Sequence, residues 1–306
     1  MLDVRRLVLL RDLDAHGTVT AVAELHRVTP SAVSQQLRLL EEETGTRLLE
    51  RAGRSVYLTA AGHRLAADTE QVLAALEDAQ SRLRSGAGEP AGPLRLACFP
   101  SALAAMAVPL GEALEGAHPG LRLHITEAEP EAAVRLLQQR RVDLALVYRY
   151  TNLATPPDSG IETRTLRTDP LVAVLRDDHP AADGAGAPID LRELADTPWI
   201  TAPPQTNCGD AVLQACRSAG FTPQVRHTCT DFAAMVALAA SGGHTVLISS
   251  LAATPDRLPP GMTVRPVTDR RLARTIEVAF RQGTAHQPAI AAGLAAAELV
   301  GATSGT

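Results

Sequence analysis

The chain has no lysine: all 29 of its Lys+Arg positions are arginine. That excludes chemistry needing a lysine amine, including a pyridoxal Schiff base, a lysine-dependent phosphate loop, a Ser-x-x-Lys nucleophile and a kinase strand lysine. Aromatic residues make up only 3% of the sequence, which argues against stacking platforms for single-stranded nucleic acid. The four cysteines, Cys98, Cys208, Cys216 and Cys229, form no Cys-x-x-Cys pair, and no histidine cluster completes a zinc pattern. No metal or cofactor is therefore expected. Scattered thiols fit a reducing compartment, so a cytoplasmic protein is expected. No run of eighteen apolar residues occurs, and Met1–Arg6 lacks the apolar core and cleavage site of a signal peptide, so neither a membrane span nor export is expected. The net charge of −5 gives no hint of nucleic acid.

What is present is a chain of 306 residues, 45% hydrophobic and 21% charged, which exceeds the usual size of one core and implies two or more domains. Residues 1–59 read as short helices and a hairpin, and residues 60–84 as one long helix. Residues 85–93, Ser-Gly-Ala-Gly-Glu-Pro-Ala-Gly-Pro, read as a hinge. In residues 94–306 strand-like runs alternate with helical ones. Leu94–Cys98, Leu121–Thr126 and Asp143–Val147 read as strands around helices at Ser101–Ala117 and Glu131–Arg140. The pattern restarts at Pro198–Thr201 with helix Asp210–Ala219, strand Gln224–Thr228, helix Phe232–Ser241 and strand Thr245–Ile248. This predicts two α/β lobes with a mostly parallel sheet, lobe I from about 94–165 with 266–306 and lobe II from about 166–265. In the long helix Leu65, Thr69, Val72, Leu76, Ala79 and Leu83 follow spacings of 4, 3, 4, 3 and 4, a heptad seam. Such a seam packs either on its own domain or on a second subunit.

Residues 18–43 hold a helix-turn-helix pattern. Val19, Val22 and Leu25 form one apolar stripe, and Val33, Leu37 and Leu40 another. Thr29 suits the N-cap of the second helix and Pro30 its first position, where the missing N–H costs nothing. Opposite the second stripe stand Ser31, Ser34, Gln35 and Arg38, side chains of the kind that meet base edges and phosphates. The acidic run Glu41–Glu43 lies at the far end, away from a groove entered N-terminus first. The following hairpin has Arg51 and Arg54 at its tip. Residues 47–64 carry four arginines against one acid, in a segment (residues 1–89) that holds 11 Arg and 13 Asp+Glu in all. An arginine-tipped wing can grip phosphate or enter a minor groove, although a solvated turn has the same composition.

The stretch Ala-x-x-Leu-His…Thr-Pro-Ser-Ala-Val-Ser-Gln-Gln-Leu-x-x-Leu-Glu, then Gly-x-x-Leu-x-x-Arg and Leu58-Thr-x-Ala-Gly62, resembles the LysR-type transcriptional regulators. Beyond the hinge, Leu94-Arg95-Leu96, His118-Pro119-Gly120, Asp143–Val147 and His179-Pro180 continue the likeness in the same order. The resemblance implies an N-terminal winged helix-turn-helix, a dimerising linker helix, and a two-lobed effector domain like a periplasmic binding protein. It implies double-stranded promoter DNA, a small-molecule effector between the lobes, and self-association as a homodimer or homotetramer. DNA-binding residues would be Thr29, Ser31, Ser34, Gln35, Arg38, Arg51 and Arg54. Gln35 departs from the pattern, since many members carry arginine there.

Under this resemblance the effector cleft is lined by Pro100 and Ser101 after the first strand, Glu129 after the second, Tyr148 on the third, and Thr201, Asn207, Thr230, Asp231 and Phe232 across from them. Helix N-termini supply free N–H groups at several of these points, though each is equally an ordinary cap. Glu129 and Asp231 would repel a carboxylate effector unless a cation pairs with them. Cys208 and Cys216, eight residues apart, are two structural thiols or a redox pair; along a helix they would stand about 12 Å apart, too far for a disulfide. Two competing readings are a solute-binding protein and an enzyme with Cys208 or Ser101 as nucleophile. The first lacks an export signal. The second lacks both a Gly-x-Ser-x-Gly elbow and a local base. No catalytic residue is expected.

Overall fold

Capping side chains set the first three helices. Asp3 accepts from the Arg5 amide at 2.8 Å and opens α1, Val4–His16. Thr18 opens α2, Val19–His26, by accepting from the Ala21 amide. Thr29 opens α3, Pro30–Thr44, by accepting from the Ala32 amide, with Pro30 in the first turn as expected. In this computed structural model, which describes residues 2–52, 55–84, 89–183, 186–269 and 271–303, residues 2–84 with 281–287 form one compact unit and residues 89–280 with 288–303 another.

The first unit buries Leu7, Leu10, Leu13, Val22, Val33, Leu37, Leu40, Leu48 and Leu58 together. The α3 stripe is thus buried as its spacing requires. The α2 stripe differs: Leu25 is 38% exposed, and Ala23 is buried instead. Val19, Val22, Ala23 and His26 stand at i, i+3, i+4 and i+7 on one helical face, whereas Leu25 at i+6 turns off it. The hairpin consists of β1, Leu49–Ala52, antiparallel to β2, Ser55–Leu58, with Ala52 opposite Ser55. Its tip residue Arg54 lies outside the described residues. The helix α4, Ala60–Arg84, follows. Thr59 accepts from the Gly62 amide at 3.1 Å and donates to the Arg47 carbonyl at 2.9 Å, tying the start of α4 to the hairpin. On α4, Thr69 is buried while Val72 and Leu76 are 40% and 42% exposed; Leu83 lies outside the residues with a described side chain.

The second unit holds one mixed sheet. Its elements are β3 (Gly92–Cys98), α5 (Pro100–Ala102), α6 (Val108–Ala117), β4 (Leu121–Glu127), α7 (Pro130–Gln138), β5 (Leu144–Tyr150), β6 (Ile161–Arg176), β7 (Pro198–Thr201), α8 (Asn207–Ser218), β8 (Gln224–Thr228), α9 (Phe232–Gly242), β9 (Thr245–Ser249), β10 (Met262–Pro266), β11 (Ala273–Arg281) and α10 (Pro288–Thr303). The strand order is β4-β3-β5-β11-β6-β9-β7-β8, with β10 also on β6. β3 is parallel to β4 and β5, and β7 to β8 and β9. Both halves therefore have the parallel core that the strand–helix alternation predicts. The sheet as a whole is mixed, because β11 runs antiparallel to β5, and β6 antiparallel to β9 and β10. These long strands carry the chain between halves without a crossover helix, which the alternation did not reveal.

The helix expected over Ser101–Ala117 is interrupted. Leu103–Ala107 widens into a π turn, where the Val108 amide reaches back to the Leu103 carbonyl. Pro109, next in the chain, has no N–H to continue the ladder, which accounts for the widening.

Candidate functional site

In the first unit the expected reading surface is built on α3. Thr29, Ser31, Ser34, Gln35 and Arg38 are all exposed, on the side opposite buried Val33, Leu37 and Leu40. Two of these groups are also used locally. Thr29 Oγ1 lies 2.9 Å from Ser31 Oγ, and Ser34 Oγ donates to the Pro30 carbonyl. Arg51 lies on β1 opposite Val56. Arg27, Arg47 and Arg64 are exposed as well.

The histidines nearby are committed to aspartates. His26 Nε2 is 2.6 Å from Asp12 Oδ2, and His63 Nδ1 is 2.7 Å from Asp14 Oδ1. The acidic end of α3 turns out to be structural. Glu41 Oε1 accepts from the Leu48 and Leu49 amides at 2.8 and 3.0 Å, fixing the hairpin to the helix, and Glu43 pairs with Arg6. Nothing in the local sequence separates these carboxylates from a solvated run.

In the second unit a buried cluster lies where the two halves of the sheet meet. Arg274 on β11 is 1% exposed, and its Nε donates to Asp169 Oδ2 on β6 at 2.7 Å. Its Nη2 donates to Ser101 Oγ at 2.7 Å. The guanidinium carbon lies 4.8 Å from the Phe99 ring centre and 4.7 Å from that of Tyr148, a double cation–π arrangement. Asp169 Oδ1 accepts from Ser250 Oγ at 2.7 Å and from the Leu251 amide. One carboxylate thereby receives donors from both halves, and the buried pair is compensated as burial demands.

Beside this cluster the Tyr148 hydroxyl donates to Glu129 Oε2 at 2.9 Å. Burial, then the charges of Glu131 and Glu127, push the Glu129 carboxyl above its ordinary value, against the opposing Tyr148 bond and Arg274 charge. The Tyr150 ring meets Tyr148 edge-on at 5.4 Å, and its hydroxyl lies beside the Cys208 thiol at the start of α8. Asn207 donates to Glu131, and Asn152 to the Ala211 carbonyl at 2.8 Å, so both amides join the two halves.

The structure thus brings Ser101, Glu129, Tyr148 and Asn207 to one place. Pro100 is exposed in the first turn of α5, and Thr201 is buried at the end of β7. Thr230 is exposed, Asp231 caps α9 through the Ala234 amide at 2.7 Å, and Phe232 packs into the core of the second half. Asp169, Arg274, Tyr150 and Ser250 went unpredicted. An aspartate before a proline ahead of an apolar strand, and an arginine within one, were their only signals. Burial raises the Cys208 thiol and pushes those of Cys216 and Cys98 up to about 12, which disfavours their thiolates.

Comparison with known proteins agrees with this geometry. The family model described as bacterial regulatory helix-turn-helix protein, lysR family, matches residues 4–63, and the LysR substrate binding domain matches residues 87–298. The chain is 32% identical over 235 residues to the uncharacterized HTH-type transcriptional regulator YnfL of Escherichia coli (strain K12), covering 75% of this chain and 76% of that protein. Among solved structures, a variant of full-length OxyR from Pseudomonas aeruginosa is similar at a TM-score of 0.66 and 21% identity, over 98% of this chain and 95% of that one. Full-length CbnR complexed with its target DNA is similar at a TM-score of 0.57 and 21% identity, over 98% and 100% of the two chains. Among the described residues, no helix is long and apolar enough to cross a membrane.

Proposed function

The chain belongs to the LysR family of DNA-binding transcriptional regulators, and on that premise we propose that it binds promoter DNA as a homodimer or homotetramer and that a small effector between the two halves of its second unit alters that binding. The observation that carries the DNA half of this reading is the exposed row Ser31, Ser34, Gln35 and Arg38, set on a helix whose opposite face is fully buried. Such a helix can enter a major groove without disturbing its own core. Glu41 holds the hairpin against the same helix, so α3 and the wing meet DNA as one piece.

The working division of the chain is residues 1–59 for DNA, 60–84 for dimerisation, 85–93 as hinge and 94–306 for the effector. We assign Thr29, Ser31, Ser34, Gln35, Arg38, Arg51 and Arg54 to DNA. Ser101, Glu129, Tyr148 and Asn207 are assigned to the effector, with Pro100, Thr201, Thr230, Asp231 and Phe232 around them. The protein acts in the cytoplasm and is not an enzyme. Ser101 Oγ accepts from an arginine instead of giving its proton to a base, and the raised Cys208 thiol is not poised to attack.

Mixing the protein with the DNA upstream of its own gene tests the reading. A retarded band is expected, with strong salt dependence. Four phosphates per subunit would give a log–log slope of about −7 per dimer. Failure to retard any promoter DNA at low salt would sink it.

A further inference from the structure

We infer that the effector held between the two halves carries an organic ammonium group in place of the carboxylate that an arginine-containing cleft would suggest. The inference rests on the effector reading above and concerns only the chemistry of the ligand. Glu127, Glu129 and Glu131 stand together at the end of β4 and the start of α7, open to solvent as residues although the Glu129 carboxyl itself is partly enclosed beside Tyr148. The buried cation beside them, Arg274, is already engaged. Asp169 and Ser101 take its Nε and Nη2, and the Phe99 and Tyr148 rings cover it. An incoming carboxylate would meet three like charges and an arginine neutralised by its own aspartate. An ammonium group would meet carboxylates that receive neutral donors, the Tyr148 hydroxyl on Glu129 and the Asn207 amide on Glu131.

A second, independent observation points to a polar ligand at this place. Tyr150 is 3% exposed and Thr201 2% exposed, yet neither Tyr150 Oη nor Thr201 Oγ1 has a partner of hydrogen-bonding geometry. The Cys208 thiol beside Tyr150 is at best a weak one. Both hydroxyls sit at the C-terminal ends of strands, β5 and β7, where open α/β sheets present their ligands. Tyr150 adjoins Tyr148, whose own hydroxyl reaches Glu129, so the orphan oxygen and the carboxylate share one site. Buried hydroxyls left without partners call for a group that supplies them. The hydroxyls can serve a ligand of either charge, and the carboxylates decide for the ammonium, which offers three donors and no acceptor.

The test is calorimetric titration of the full chain with two matched pairs at millimolar concentration: benzylamine against benzoate, and 1,4-diaminobutane against succinate. Binding heat and a raised Tm are expected from at least one amine and from neither acid. Glu129→Gln should weaken the amine about tenfold, equivalent to about 1.4 kcal/mol. Glu131→Gln should do so in the same direction and stands in if the first variant misfolds. Asp256→Asn, on an exposed turn, should leave binding unchanged. An acid that binds more tightly than its amine overturns the inference, as does silence from all four compounds. The effector reading fails separately: an amine that binds without altering DNA retention upholds the charge assignment and removes the regulatory role. An acid that alters DNA retention does the reverse.

Discussion

Asp169 and Arg274 depend on each other inside the second unit. Both are almost wholly buried, and each is the other's charge. Asp169→Asn leaves a guanidinium uncompensated inside the protein, which costs about 3–5 kcal/mol in such cases. Urea unfolding should show a loss of that size; a loss below about 1 kcal/mol would place the pair in solvent instead. Glu129 has the opposite sign of effect. Its folded carboxyl holds a proton above the ordinary value of 4.5, so the folded state binds more protons than the unfolded one there. Stability therefore falls as pH rises from 4.5 through the folded value, and Glu129→Gln should flatten that fall in a Tm–pH series. At the DNA surface, Gln35→Ala should cost about 1–3 kcal/mol on the operator and little on unrelated DNA if Gln35 reads a base. Equal loss on both would make it a phosphate contact.

Elements were legible where their signals are local. Thr29, Pro30 and the Val33–Leu37–Leu40 spacing define α3 within a dozen residues, and the same is true of the capped strands and helices of each half. Legibility failed where one element depends on a distant one. The α2 face turns on His26 finding Asp12, and Glu41 reads as surface charge until the hairpin folds back onto it. Asp169 and Arg274 lie 105 positions apart, so no window of sequence joins them. One local motif acquires its reason only in three dimensions. Gly62, closing the Leu-Thr-x-Ala-Gly run, packs where an added Cβ would run into the Leu48 carbonyl oxygen. Gly62→Ala should therefore push α4 off the hairpin and cost about 1–3 kcal/mol, despite alanine's better helix propensity. A thermal melt no lower than that of the parent chain would refute the close approach.

At the scale of the whole molecule, net charge was a poor guide to partners. A formal charge of −5 over 306 residues hides an exposed polar row and a short basic hairpin. Self-association is the other whole-molecule property, and the contact we propose for it is α4. Val72 and Leu76 are among the exposed large apolar side chains of the first unit and lie on the heptad seam. Replacing both with glutamate should shift the protein toward monomer in sedimentation and weaken operator binding, with the fold of each subunit intact by circular dichroism. An unchanged sedimentation coefficient would move the dimer contact elsewhere.

The strands that link the two halves have a mechanical consequence. β6 gives its C-terminal stretch, from Leu171 onward, to β9, while β11 pairs with β5 along its length from Arg274 onward. Any opening of the halves must bend the chain where these pairings change over, at 169–171 and 272–274. The Asp169–Arg274 pair sits at that changeover and so at the pivot, where displacement vanishes and there is no lever arm. In such an opening the pair would stay joined, like the pin of a hinge, while groups farther out, Asn207 and Glu131 among them, would travel farther.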